Sequence, residues 1–332
     1  MNRAGGGTGW KAWAAMAAKF AISATLMTIL VSRVPIDQVG AALKRADPRW
    51  LLGAGALLVL SNVIGSFQWS RLLVAAGIRI PFWKVCAYYH VGLFFNNFLP
   101  ANVGGDIARV MDASRYGPSR GAAISAVIMD RLIGTISLAG LALVTTLPAI
   151  DQFHLTLAYV ALVAFFSVSV LVLWFIFHPA LLPTLGRWIS RLGIHSIQPH
   201  LEDMAQRFRG FRRRSLLAGL VTVGTAVQLA RIGVHVLVGQ ALGLQISLLY
   251  FFLFVPLLAV IVSVPISLNG IGLREGAGVI LFGLVGVDRA SAFSLQFTTY
   301  LVAVAVSMLG GLVFLARIPR RAARARNQRR TT

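Results

Sequence analysis

Six long apolar stretches constrain this chain more than any other feature. They lie at 14–32, 50–70, 121–149, 154–177, 215–241 and 290–316. A helix rises 1.5 Å per residue, so about 20 apolar residues cross the roughly 30 Å hydrocarbon layer of a bilayer. Backbone in hydrocarbon must satisfy its own hydrogen bonds, which only helices and closed barrels achieve. The stretches lack the period-two alternation of barrel strands, so they predict helices. Only 12% of the 332 residues are charged against 57% hydrophobic, too little polar surface to cover a water-soluble globule. The expected fold class is an all-α polytopic membrane protein, a single membrane domain over 1–332.

The charge is one-sided: 31 Lys and Arg against 10 Asp and Glu, a net of +21. Most of the excess flanks the apolar stretches, which points to anionic lipid headgroups as the partner and not to nucleic acid. Lys/Arg-rich loops stay cytoplasmic. Placing Arg187–Arg214 and the tail after Arg317 inside puts both termini and the segments 71–84 and 100–120 inside, and the Asp151-Gln152 turn outside. The loop with Arg33, Lys44, Arg45 and Arg49 fits this path less well. The expectation is a cytoplasmic-membrane protein with a basic amphipathic segment at 178–214 and a polybasic tail at 317–332. The first stretch reads as a retained span, because no small-x-small cleavage pattern follows Ser32. A single cysteine, Cys86, leaves no disulfide framework and no multi-Cys metal site. No phosphate-loop motif G-x-x-x-x-G-K-[ST] occurs, and no cofactor is expected.

Two further apolar runs, 85–99 and 250–264, are short for a crossing. Each ends in a helix-breaking cluster: Pro100-Ala-Asn-Val-Gly104-Gly105-Asp106 in the first, Pro265-Ile-Ser-Leu-Asn269-Gly270-Ile-Gly272 in the second. The topology needs both to return to the side they left, so they predict re-entrant helical hairpins. Such backbone is tolerated at membrane depth only when it is buried in protein or lines a polar cavity. The two breaks share a pattern: Pro, Gly at +5, Arg at +9 (Arg109 and Arg274), with an acid near each Arg (Asp106 and Glu275). Arg120 and Arg289 then open spans with Ala at +3 and Ser at +5. One hairpin enters from inside and the other from outside, which predicts an inverted repeat, 50–149 and 215–316. Secondary transporters use that architecture, with the substrate near the midplane.

Polar residues at bilayer depth are the binding candidates. Gly104, Gly105 and Asp106 can open a helix toward an anion, or merely turn and cap it. Asn96, Asn97 and Asn269 can bind a headgroup or satisfy backbone freed at the breaks. Asp130 and Arg131 sit about ten residues into a span. They are adjacent and so face about 100° apart, and each needs its own partner or water. Arg131 is the first candidate to grip phosphate bidentately, the alternative being a structural ion pair. Gln228, Arg231 and His235 fall on one helical face that should look into the bundle. His235 reads more readily as a hydrogen-bonded core residue than as a proton relay. Arg274 and Glu275 are a substrate grip or a local charge pair.

These motifs resemble the transmembrane region of lysylphosphatidylglycerol synthases, a flippase-like family. It forms the membrane part of the multiple peptide resistance factor and also occurs alone. The carriers are Phe95-Asn96-Asn97-Phe98-Leu99-Pro100, Gly104-Gly105-Asp106 with Arg109, Ser125 to Asp130-Arg131, and Pro265 through Gly276. The resemblance implies movement of a phospholipid or lipid-linked headgroup between leaflets. Its partners would be an anionic lipid substrate and either a second copy or a lipid-modifying enzyme. No soluble domain follows Arg317, so the expectation is a non-enzymatic chain that does not itself make lysylphosphatidylglycerol. A small-solute transporter and a non-transporting partner that presents lipid are the competing expectations.

Overall fold

A computed structural model describes residues 36–98, 104–153, 155–178, 207–263 and 270–328, with scattered positions between. Most of the stretch at 14–32, most of the segment 178–214, and Pro100, Pro265 and Asn269 lie outside the described residues.

Ten α-helices carry the described fold: α1 (Ile36–Arg45), α2 (Pro48–Ala75), α3 (Phe82–Phe98), α4 (Gly104–Ala113), α5 (Arg120–Thr146), α6 (Thr156–Phe177), α7 (Arg214–Ala241), α8 (Leu248–Ser263), α9 (Leu273–Gly283) and α10 (Arg289–Gln328). No strand occurs among the described residues. Five of the expected spans appear as helices long and apolar enough to cross a membrane: α2, α5 with the 3-10 turn that follows it, α6, α7 and α10 up to Arg317.

Helix starts follow local chemistry. Asp47 accepts from the Arg49 amide at 2.8 Å ahead of Pro48, whose missing N–H costs nothing at a helix start. Ser119 accepts from Ala122 ahead of α5, and Asp288 accepts from Ser291 ahead of α10. The Ser291 bonds hold the Asp288 carboxyl below its ordinary range. α5 and α10 begin at Arg120 and Arg289, the two residues that the repeat pattern aligns.

The two short runs form helix pairs. α3 packs on α4, and α8 packs on α9. α2 lies along α7, α10 crosses α3, and α5 contacts α2, α4, α6, α7 and α8. Small residues permit the closest crossings. A Cβ on Gly105 would collide with the Gly92 carbonyl, and one on Gly310 would collide with the His90 carbonyl. Gly105 therefore seats α4 on α3, and Gly310 seats α10 on the other side of α3. α6 buries only Leu162 and Ser169 and presents Leu157, Val160, Leu171 and Trp174 outward. A helix so apolar and so little covered by protein is one that lipid covers.

One aromatic cluster joins Phe251 and Phe254 of α8 to Phe282 of α9. This packing holds the second pair together. Pro256 sits inside α8, so no N–H answers the Phe252 carbonyl at that turn.

Candidate functional site

The helices line an open-sided cavity of about 440 Å³. Its wall draws on α2 (Gly65, Gln68), α3 (Tyr89, Leu93, Asn96), α4 (Arg109), α5, α7, α8 and α9 (Arg274). Four arginines line it: Arg109, Arg131, Arg231 and Arg274. Among the described residues, the one carboxylate in the wall is Asp130.

The first-half charges pair across elements. Arg109 of α4 donates from Nη2 to Asp130 Oδ2 of α5 at 2.6 Å, and Arg131 donates from Nε to Asp106 Oδ2 of α4 at 2.9 Å. Arg109 also lies 3.6 Å from Asp106. The adjacent pair Asp130-Arg131 thus reaches back to two residues one helical turn apart on α4, cross-linking the first helix pair to a span. The Arg109 side chain is 7% exposed, with its guanidinium 4.3 Å from the Trp69 ring centroid and 4.8 Å from that of Tyr89. Gln68 donates to the other oxygen of Asp130 at 3.0 Å. Arg109 is thereby stacked, paired and enclosed, whereas Arg131 leaves about half its side chain open at 51% exposure.

The second-half cations stand differently. Arg231 is exposed in the cavity, and its guanidinium makes no hydrogen bond or ion pair among the described residues. Arg274 stacks 4.8 Å from the Tyr300 ring centroid. Gln228, Arg231 and His235 all reach the wall, as one helical face should. Gln228 donates toward the Gly134 carbonyl at 3.4 Å.

Several candidates lie behind the wall or serve backbone groups. Glu275 is 1% exposed and accepts from the Gly272 amide at 2.8 Å, with Gly272 held at φ 79° at the start of α9. Its carboxylate closes its own helix start. Asn96 accepts from the Gly105 amide at 2.9 Å, so it caps the first turn of α4. Gly104, Gly105, Asp106 and Asn97 do not line the cavity. The Gly105 amide is taken by Asn96, so it does not point at a ligand. The equal spacing of Arg109 and Arg274 from their prolines also lands them at different helical positions. Arg109 is the sixth residue of α4 and Arg274 the second of α9.

Gln68, Trp69 and Tyr89 escaped the sequence reading. A lone Gln in an apolar span was the available signal for the first; the two aromatics look like any others. Among the described residues, no group of three or more His, Cys, Asp and Glu side chains could hold a metal ion.

Relatives are other membrane proteins. A UPF0104 membrane protein of Pyrococcus horikoshii is 33% identical over 119 residues, 35% of each chain. One of Methanocaldococcus jannaschii is 26% identical over 169 residues, 48% of this chain and 49% of its own. The first of these matches therefore spans about a third of the relative's length, and the second about half. A third UPF0104 membrane protein, from Methanothermobacter thermautotrophicus, is 22% identical over 289 residues, 80% of this chain and 85% of its own. No solved structure matches. The family described as lysylphosphatidylglycerol synthase TM region matches residues 16–311, which covers every helix that lines the cavity, and the chain belongs to that family.

Proposed function

We propose that this protein is a flippase-like transporter that moves the headgroup of a phospholipid or lipid-linked substrate between leaflets of the cytoplasmic membrane. The reading rests on one observation: an accessible cavity among the helices whose wall holds four arginines and one carboxylate, with Arg231 unpaired among the described residues. Four arginines facing one carboxylate at bilayer depth are costly to hold together unless an anion joins them. Arg231, Arg274 and the open side of Arg131 grip the phosphate, while Arg109 is held as a pillar by Asp130 and the two rings. Acyl chains stay in lipid.

The helix pairs α3–α4 and α8–α9 act as re-entrant hairpins of an inverted repeat. Two features support this: each pair precedes a span that begins at an aligned arginine, and each sends one arginine into the same cavity. The termini lie in the cytoplasm on the charge argument, and the chain works without catalysis of its own. A lipid-presenting partner would need the charges of the cavity wall mutually satisfied. Arg109 and Asp130 meet that condition and Arg231 does not.

The test is reconstitution in liposomes with labelled anionic phospholipid, scored by headgroup accessibility on each face. Arg231→Ala removes one charge-assisted contact worth about 1.5–3 kcal/mol, so exchange should fall by at least about tenfold. Wild-type exchange no faster than in empty vesicles, for every anionic and lipid-linked substrate tried, would end the transporter reading.

A further inference from the structure

His235 lies in the cavity wall beside the two second-half cations. Its Nδ1 stands 2.9 Å from the Arg231 carbonyl, four residues back on the same helix. A carbonyl can only accept, so Nδ1 carries the hydrogen and the neutral ring keeps its lone pair on Nε2. Gln296 of α10 approaches this ring. It is fully buried, and neither atom of its amide completes a hydrogen bond among the described residues. An amide beside an imidazole serves both ring states: its nitrogen donates to a bare Nε2, and its oxygen accepts from a protonated one. A buried amide left without a partner costs about 1–3 kcal/mol, so an amide able to bond the ring in either state accommodates a change of protonation there.

The charged and titratable neighbours are few. Arg231 shares the helix, and Arg274 comes from α9 with Glu275 behind it and Tyr300 of α10 beside it. Asp130 and Arg131 belong to α5, and Tyr89 to α3. The parts of α2 and α8 that form the wall contribute no titratable side chain. The charge that acts on the ring is thus the Arg274 cation. A bound phosphate reverses that local field. Resting on the anion-site reading above, we infer that His235 takes up one proton from water as an anionic headgroup binds at Arg231 and Arg274, so that the protein moves an anion together with a proton. Binding and protonation are then linked, each favouring the other by the same factor. Such a link couples headgroup movement to a proton gradient.

Calorimetric titration of the purified protein tests this, in buffers of differing ionisation enthalpy. The probes are dioctanoyl phosphatidylglycerol and its deacylated counterpart, glycerophosphoglycerol. Both are phosphodiesters of fixed charge, so the ligand itself contributes no proton. The expected result is uptake approaching one proton per anion above neutral pH, with affinity rising toward about tenfold per unit as pH falls. His235→Gln should bind with heat independent of buffer. Binding of the lipid alone identifies a lipid headgroup site, and equal binding of the deacylated probe identifies a free phosphodiester site. Wild-type binding with no proton uptake and a flat pH profile would overturn the coupling while leaving the anion site standing. Uptake that persists undiminished in His235→Gln would assign the proton elsewhere and overturn it too. If neither probe binds, the anion site falls, and this inference falls with it.

Discussion

Arg109 illustrates how a charge survives at this depth. It is stacked between Trp69 and Tyr89, bonded to Asp130 at 2.6 Å, and nearly closed from solvent. Removing one partner of such a pair leaves a buried charge and costs about 3–5 kcal/mol, whereas replacing both by apolar groups is often neutral. Asp130→Asn should therefore destabilise the protein toward the lower end of that range, because Asp106 remains 3.6 Å from Arg109. Thermal unfolding in detergent would read this, and Asp130→Leu combined with Arg109→Met should restore most of the loss. A melting temperature unchanged in Asp130→Asn would show that the pair does not hold the fold. The adjacency of Asp130 and Arg131 was visible in the sequence, as was the argument that neighbours on a helix need not pair. Their partners were not visible, because nothing local says that α4 lies across α5 with Asp106 and Arg109 one turn apart. Glu275 shows the converse. It sits beside an arginine on which its charge acts, and its carboxylate also bonds the Gly272 amide three residues away.

Among elements, the first helix pair is positioned by glycine more than by charge. A Cβ at Gly105 would meet backbone, the Gly92 carbonyl, which no rotamer change relieves. Gly105→Ala should push α4 off α3, pulling Asp106 and Arg109 away from their α5 partners. The expected outcome is a stability loss of about 1–3 kcal/mol, as for other overpacked contacts, together with lost anion binding. Gly219→Ala, where no atom lies within 4 Å, is the matched control and should leave both unchanged. If the two variants behave alike, close packing at Gly105 is not what sets the pair. Five of the six span positions were legible because length and apolarity alone decide a crossing. The breaks at Pro100 and Pro265 lie outside the described residues, and the helices that flank them begin and end close to where proline and glycine predicted. The matched Pro-to-Arg spacing misled in one respect, since α9 starts after a positive-φ glycine, Gly272, and α4 starts at Gly104, one residue before the glycine that packs, so the two arginines take up different positions.

At the scale of the whole molecule, α10 is a single 40-residue helix from Arg289 to Gln328. At 1.5 Å per residue it is roughly 60 Å long, about twice the hydrocarbon thickness. Near the end of its apolar part, Arg317 bonds Asp112 of α4 at 3.2 Å and lies 4.2 Å from the Tyr88 ring centroid. Tyr88 in turn meets the Tyr116 hydroxyl at 2.9 Å. A rigid rod moored at that point works as a depth gauge. In a thicker bilayer the helix must tilt upright to keep its apolar length covered, and the mooring at Asp112 resists. Headgroup exchange in vesicles of increasing acyl length should therefore pass through an optimum, and Arg317→Gln should flatten it. An identical thickness profile for both proteins would show that the mooring is slack. With it intact, the membrane's own dimension becomes a setting on the machine, read at one arginine.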